Sequence, residues 1–557
     1  MTDGRALPII PARFQPALPL DRLILREAPN ADAVPMDVVF VGGGPAGLAG
    51  AIELARLAKE SGERGGPLGD LQIAVLEKAS ALGEHNLSGA VVNPRAFREL
   101  FPGLGDDAFP FRAPVRGERV YMLTGSRAVR IPTPPTMRNH GNYVASICEI
   151  VRWLGEKAEA AGVNLFAGFP VASLLVDGER VIGVRTTPTG LARGGEPGPS
   201  YEPPTDLTAR VTVLAEGTRG SLAQAYTSWR GIRSANPQIF ALGVKELWET
   251  KRPLDAVVHT MGWPLPADAF GGSFLYPLAP NLVAVGLVVG LDYRELDLDV
   301  HVLLQRLKEH PLVRPYLEGG EMVEWGAKTI PEGGYHALPE RRSGDGVVIV
   351  GDAAGFVEVS SLKGIHYAMQ SGIYAARAIF DALSRDDPSA AALSAYDTMV
   401  DGSYIVRDLR ERRNLRLAFQ GSGLVKGGAK AALMTLTKGA FPGGRIPSEP
   451  DADAPRVRGE TVPFRPDGTL TFGKLDAVFR SGNATRDDIP SHLIVGADVP
   501  ADVAELYAHL CPAGVYERDG DRLVVSPANC IDCKATDDIG PRWTPREGGS
   551  GARYRRM

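Results

Sequence analysis

A strand that runs directly into a glycine-rich turn and then a helix constrains this chain more than any other feature. Val38-Val39-Phe40-Val41 is a run of buried-strand type. Gly42-Gly43-Gly44-Pro45-Ala46-Gly47 follows at once and gives Gly42-x-Gly44-x-x-Gly47. A helical stretch, Leu48 to Lys59, comes next. Each glycine has a physical task. Gly42 permits the tight turn, Gly44 lets the backbone approach a pyrophosphate, and Gly47 lets helix and sheet pack closely. The helix start offers free N–H groups and the positive end of its dipole to phosphate. Glu77 closes a second strand, IAVLEK, where an acidic side chain bonds ribose hydroxyls. It lies beyond the usual spacing of about 20 residues. The Gly/Arg-rich insertion at 63–70 accounts for the extra length.

The fingerprint alone does not separate FAD from NAD. A later motif does. Val347 to Val350 is an apolar strand that runs into Gly351-Asp352-Ala353-Ala354-Gly355. In flavoproteins of the glutathione-reductase class, an Asp after a late strand bonds the ribitol chain, and the next helix starts at the flavin ring. Asp352 matches that position. A further strand, VTVLAEG, ends at Glu216-Gly217, where this class adds a turn near the dinucleotide. Taken alone, Gly351-Asp352 is also compatible with a surface turn.

At 557 residues the chain is too long for one core, so two to four domains are expected. Hydrophobic residues make up 44% and charged residues 23%, the balance of an ordinary folded protein. A formal net charge of −5 gives no global pull toward nucleic acid or anionic lipid. The N-terminal residues show no secretory signal. No apolar run approaches the roughly 18 residues of a spanning helix, so membrane contact has to be monotopic. Along the chain, residues 1–35 read as a Pro-rich arm and 190–204 as an exposed loop. Residues 235–335 alternate short β-like runs with turns and look like an inserted sheet domain. A Pro- and charge-rich linker covers 445–460, and a separate cysteine-bearing module follows it.

Several segments beyond the FAD motifs resemble electron transfer flavoprotein:ubiquinone oxidoreductases. They include LEKASALGEHNLSGAVVNPRAFREL, NYVASICEIVRWLGEKAEAAGV, FGGSFLYPL, GDAAGFVEVSSLKGIHYAMQSG and LCPAGVYE. The similarity runs from about 36 to 410 and resumes from about 465, with 411–460 matching loosely. The resemblance implies a multidomain α/β and α+β protein. Its parts are a Rossmann-like FAD domain of glutathione-reductase type (36–234 and 336–410), a β-rich quinone domain on the membrane (235–335), and a C-terminal ferredoxin-like domain with a [4Fe–4S] cluster (461–557). The cofactor-binding set is Gly42, Gly44, Pro45, Ala46, Gly47, Glu77, Lys78, Gly351 and Asp352. The resemblance places the quinone head on backbone groups of Gly271 and Gly272. A glycine pair between an aromatic residue and a strand suits close approach to a flat ligand, and also suits a plain turn. Implied partners are electron transfer flavoprotein, ubiquinone and a membrane surface, with no nucleic acid, for a monomer on the bacterial cytoplasmic or mitochondrial inner membrane. The segment 421–441 interleaves Leu424, Leu433, Leu436 and Phe441 with Lys426, Lys430 and Lys438, as an interfacial helix does.

Three of the 4 cysteines, Cys511, Cys530 and Cys533, fall in the C-terminal module. So few cysteines, so clustered, suit a metal or redox role better than a disulfide scaffold. Thiolates at C-x-x-C spacing reach one metal centre. The family places a further cysteine three residues on, and here that position is Thr536. An oxygen ligand from Asp537 or Asp538, a three-iron cluster, a zinc ion, or an empty site are the alternatives. Cys148 reads as a small buried residue. No Ser/His/Asp or paired-carboxylate constellation calls for hydrolysis. His336 and His366 lie closest to the FAD motifs, and neither reads as catalytic. Alternative functions are a flavin monooxygenase or prenyl reductase, and a redox-inactive docking protein.

Overall fold

The computed structural model describes residues 8–89, 91–420, 423–459 and 463–557, apart from the side chains of residues 424 and 425. Two large sheets organise a mixed α/β structure. The first has a parallel centre in the order 347–349, 206–214, 34–41, 73–77, 164–167. Val38–Val41, Ile73–Leu76 and Val347–Ile349 are buried and apolar on both faces, as a sheet covered by helices on both sides requires. Phe40 pairs with Val213 on one side and Val75 on the other, and all three are buried.

Helix Pro45–Glu63 follows the first of these strands, with Pro45 in its first turn, where a missing N–H costs nothing. It packs on the late helix Ile365–Ser384. Small residues set the crossing distance: a Cβ on Gly372 would run into the carbonyl of Ala46. Glycine at this crossing lets two backbones touch and puts both helix starts at one end of the sheet.

The second sheet has seven strands in the order 321–331, 240–249, 282–290, 271–279, 257–262, 118–123, 128–131. It is antiparallel except where 257–262 runs parallel to 118–123. Strands 118–123 and 128–131 come from the segment that the family resemblance grouped with the FAD domain. A buried network ties this sheet to helix Val300–Glu309. Lys308 Nζ lies 2.8 Å from Glu246 Oε2, with both side chains fully buried. Glu246 also accepts from Trp248 Nε1 and Gln305 Nε2.

The cysteine module is not separate. Its Phe472, Tyr507, Cys511 and Tyr554 belong to the same apolar cluster as Trp248 and Trp325 of the second sheet. The linker is also anchored. Arg456 is fully buried, donates to the carbonyl of Leu291, and lies over the ring of Tyr293. Asp451 accepts from the backbone N–H of Phe240. The N-terminal arm reaches the same region: Ile9 exchanges backbone bonds with Arg456, and Gln15 donates to the carbonyls of Asp537 and Asp538. The loop expected at 190–204 instead forms a hairpin of strands 189–191 and 197–202. No helix among the described residues is long and apolar enough to cross a membrane.

Candidate functional site

One cavity of about 930 Å³ runs between the two sheets. At one end lies the glycine turn. Gly42 sits at φ +114, and a Cβ there would meet the carbonyl of Ala215 on the neighbouring strand. A Cβ on Gly47 would meet the carbonyl of Gly42. Gly44 is different: only Asn86 Nδ2, at 3.7 Å, comes near its Cβ position, so this residue faces open space. Two of the three glycines are thus required by the close packing of the turn, and the third leaves its backbone open to the cavity. Gly44, Pro45 and Ala46 line the cavity at the helix start.

Glu77 ends its strand beside the turn. Its carboxylate accepts from the N–H groups of Gly43 and Ala79, both at 2.9 Å, which fixes it at the cavity wall. Gly351 and Asp352 line the cavity after the late strand. Gly351 adopts φ +64 and donates to Ser371 Oγ, which binds the turn to the following helix. Burial pushes the Asp352 carboxyl up to about 6. Glu216 lines the cavity too, and caps helix Ser221–Trp229 by accepting from the N–H groups of Leu222 and Ala223. An open pyrophosphate cradle, a ribose-side carboxylate and a second carboxylate facing the same space fit an adenine dinucleotide that carries a ribitol chain.

At the other end lie Gly271 and Gly272, the first two residues of strand 271–279. Their Cβ positions are filled by the carbonyls of Val288 and Thr260, so close approach of neighbouring strands already demands glycine here. Both still line the cavity. Sequence reading missed the wall around them. His259 Nε2 lies 2.7 Å from the Tyr276 hydroxyl, and burial holds the imidazole down at about 3, hence neutral. Lys363 joins them on the cavity wall. Nothing in the strand pattern of VVHTMG marks its histidine. His366 is equally buried and neutral, but neither it nor His336 lines the cavity.

The cysteines gather in a second, smaller pocket. Cys511, Cys530, Cys533 and Thr536 line it together, with Tyr516, Lys534 and Trp543. Backbone amides face the sulfurs: those of Ala513 and Val515 face Cys511, that of Asp532 faces Cys530, and that of Ala535 faces Cys533. Burial pushes these thiols up, Cys533 to about 12, and outweighs the opposing charges of Lys474, Arg546 and Lys328. A bound metal would supply the positive charge that holds thiolates in such a place. Three soft donors with amides turned to them fit an iron–sulfur cluster. Cys148 is far from this set by role: it is buried and donates to the carbonyl of Asn86.

The carboxylates considered as a fourth ligand are engaged elsewhere. Asp537 accepts from Arg219 Nε at 2.6 Å and from the Trp543 N–H at 2.9 Å. Asp538 accepts from Arg219 Nη1 at 2.6 Å. Neither lines the pocket. The reason is helical geometry: in Ala535–Ile539, Thr536 faces the thiols while the next two residues turn to the arginine.

The two sites share a wall. Lys78, at the end of the Glu77 strand, lines the large cavity and pairs with Asp532 Oδ2 at 2.5 Å. Asp532 stands between Cys530 and Cys533, and Arg546 and Trp543 also donate to it. Burial would raise its carboxyl, but Arg546 and Lys78 outweigh that and hold it well below the usual range. Lys328 and Thr329, from the other side, donate to the carbonyls of Asp532 and Cys533. Both line the large cavity.

A dinucleotide cradle and a thiol pocket back to back define a class, the oxidoreductases that hold two redox groups in one chain. Comparison with known proteins narrows it. Residues 240–330 match the family description "ETF-QO, ubiquinone-binding", and 468–555 match "Electron transfer flavoprotein-ubiquinone oxidoreductase, 4Fe-4S". The mitochondrial electron transfer flavoprotein-ubiquinone oxidoreductase of Dictyostelium discoideum is 38% identical, over 96% of this chain and 92% of that protein. A probable electron transfer flavoprotein-ubiquinone oxidoreductase of Acinetobacter baylyi is 35% identical, over 94% and 99%. Among solved structures, a geranylgeranyl bacteriochlorophyll reductase-like protein of Thermoplasma acidophilum shares the fold at 18% identity and a TM-score of 0.57. That match covers 74% of this chain and 97% of the other. The chain belongs to the electron transfer flavoprotein-ubiquinone oxidoreductase family.

Proposed function

We propose that this chain accepts electrons from reduced electron transfer flavoprotein and passes them, through FAD and an iron–sulfur cluster, to ubiquinone. The observation that carries this reading is the single cavity joining the glycine turn to the Gly271–Gly272 wall. FAD, when bound, supplies storage for two electrons that arrive singly. The chain's part is to place and insulate. Gly42, Gly44, Gly47, Pro45 and Ala46 seat the pyrophosphate, Glu77 orients the ribose, and Gly351 and Asp352 meet the ribitol side. Lys78 ties that cradle to the cysteine loop. Gly271 and Gly272 present backbone to the quinone head, and the neutral His259–Tyr276 pair offers it hydrogen bonds without a resident charge. A monooxygenase or prenyl reductase would use the cradle but has no need of the thiol pocket.

We divide the chain into an N-terminal arm (1–35), a Rossmann-like FAD unit of glutathione-reductase type (36–234 and 336–410), a quinone sheet (235–335, joined by 118–131), a connecting segment (411–460) and a ferredoxin-like cluster unit (461–557). Helix Gly423–Leu436 supports a membrane-facing entry. Its Gly428, Ala431, Ala432 and Thr435 line the cavity mouth, while Leu436 is 82% exposed. Leu433 and Phe441 are also exposed, beside Lys426, Lys430 and Lys438. The side chain of Leu424 lies outside the described residues. This arrangement suits a monotopic monomer that draws quinone from lipid.

Two measurements test this. Ala432→Trp should fill the mouth, cutting ubiquinone reduction on the order of tenfold, about 1.4 kcal/mol of barrier, while reduction of bound flavin by the donor protein stays unchanged. Equal loss of both rates, or of neither, would remove the entry route. Replacing Leu433, Leu436 and Phe441 together by serine should lower cosedimentation with vesicles of anionic lipid. Undiminished cosedimentation would move the membrane face elsewhere.

A further inference from the structure

The fourth corner of the thiol pocket is where this chain departs from four-cysteine ligation. Thr536 lines the pocket with Cys511, Cys530 and Cys533 and is 8% exposed. Among the described residues, Thr536 stands with the three thiols in the pocket lining, whereas no imidazole and no carboxylate lines it; His492, whose ring nitrogens make no hydrogen bond, groups with Cys530 and Asp532 outside that lining. Asp537 and Asp538 each give an oxygen to Arg219, and neither lines the pocket. Asp532 is spent on Lys78, Arg546 and Trp543. Lys534 turns its amine to the carbonyl of Arg219.

Resting on the reading that this module holds an iron–sulfur cluster, we propose that Thr536 makes one corner of that cluster exchangeable. The chain holds three irons by thiolate and offers the fourth only a neutral oxygen. That corner is a site for one labile ferrous ion, or for an added small thiolate that completes the ligand set.

The chemistry follows from the donors. Iron in sulfide clusters is held by soft, anionic thiolates. A threonine hydroxyl is neutral and hard, and the Tyr516 hydroxyl beside it is no better. Neither oxygen supplies the negative charge that the absent sulfur would bring. A one-electron oxidant of the ferricyanide class therefore has a balanced route: [4Fe–4S]²⁺ gives [3Fe–4S]⁺, Fe²⁺ and one electron, which the oxidant takes. Ferrous ion with a reductant runs the same step backward.

The test uses the full-length holoprotein, purified anaerobically and enriched in ⁵⁷Fe. Metal and sulfide analysis comes first. Mössbauer spectra should then resolve one iron distinct from three alike, and an added small thiolate should shift only that one. Titration with ferricyanide should release one iron in four and develop a three-iron EPR signal, reversed by ferrous ion and dithionite. Thr536→Cys should slow that release by at least about tenfold, the lower range of ligand-sphere effects on metal affinity. Thr536→Ala should keep the release. Four equivalent irons retained through oxidation, or a Thr536→Cys protein that loses iron as readily, would overturn the inference and leave the cluster reading intact. Zinc or no metal in the first analysis would overturn the cluster reading itself. If Thr536→Cys does not fold, the wild-type spectra and Thr536→Ala still decide.

Discussion

Replacing Gly42 by valine should give a chain that folds but no longer retains flavin. The residue holds φ +114, in a region that L side chains rarely adopt, and its Cβ would collide with the carbonyl of Ala215. Backbone on neither side can yield. The turn joins the central strand 34–41 to its helix, and Ala215 closes the paired strand 206–214. Relief therefore has to come from moving the turn, and the pyrophosphate seat proposed for it moves too. Strain of this kind costs about 1–3 kcal/mol per residue, before the collision is counted. Since each 1.4 kcal/mol is tenfold in affinity, FAD binding should weaken on the order of a hundredfold or more. Flavin absorbance per protein after purification, and titration with added FAD, measure it. Gly65→Ala is the control. That residue also has a positive φ, but nothing lies within 4 Å of its Cβ position, so flavin should be retained. Full flavin content in Gly42→Val would mean that the turn does not carry the dinucleotide.

Glu246→Ala should be the most destabilising single change in the second sheet. It removes the carboxylate from a fully buried ion pair and leaves Lys308 with no counter-charge. Losing one partner of such a pair costs about 3–5 kcal/mol, because the remaining charge has to be neutralised or hydrated inside the protein. Burial already holds Lys308 below its usual value, so deprotonation is the cheaper escape. The damage should spread in one direction. Gln305 donates to Glu246 and accepts from the N–H of Phe472, which belongs to the cysteine module. Thermal unfolding should shift down, and iron should be lost before flavin. The double variant Glu246→Leu with Lys308→Met removes both charges and should recover much of the stability. If Glu246→Ala unfolds like wild type, the network is not holding the module.

The parts of this protein legible in its sequence are those written locally. Strand, glycine turn and helix occupy consecutive residues, so their physics shows in the spacing. Gly351-Asp352 after an apolar strand is local in the same way, and so are three cysteines in a short module. What stayed hidden depends on residues far apart in the chain. The parallel pairing of 118–123 with 257–262 leaves no trace in either segment. Arg456 and Asp451 read as charges in a linker, because the carbonyl of Leu291, the N–H of Phe240 and the ring of Tyr293 that receive them lie far upstream. Asp537 and Asp538 looked like ligands because they follow Thr536. Only the fold shows that Arg219 has claimed them. The Lys78–Asp532 bridge spans most of the chain. The glycine pair at 271–272 taught a different lesson: its residues sit on the cavity, but the neighbouring strands alone would require them.

The core shared by the second sheet and the cysteine module also fixes a schedule for synthesis. The ribosome delivers Trp248 and Trp325 long before Phe472, Tyr507 and Tyr554, which belong to the same apolar cluster. Through that interval helix Val300–Glu309 covers part of the sheet, and the apolar surface that meets the cysteine module stays bare. Such surfaces attract chaperones or one another. The glycine turn and the Gly351–Asp352 turn are in place once the late helix Ile365–Ser384 has left the exit tunnel, whereas the metal pocket, and Asp532 that holds Lys78, wait for the last segment. One prosthetic group therefore has a folded home during translation, and the other arrives only as the final module seals the sheet.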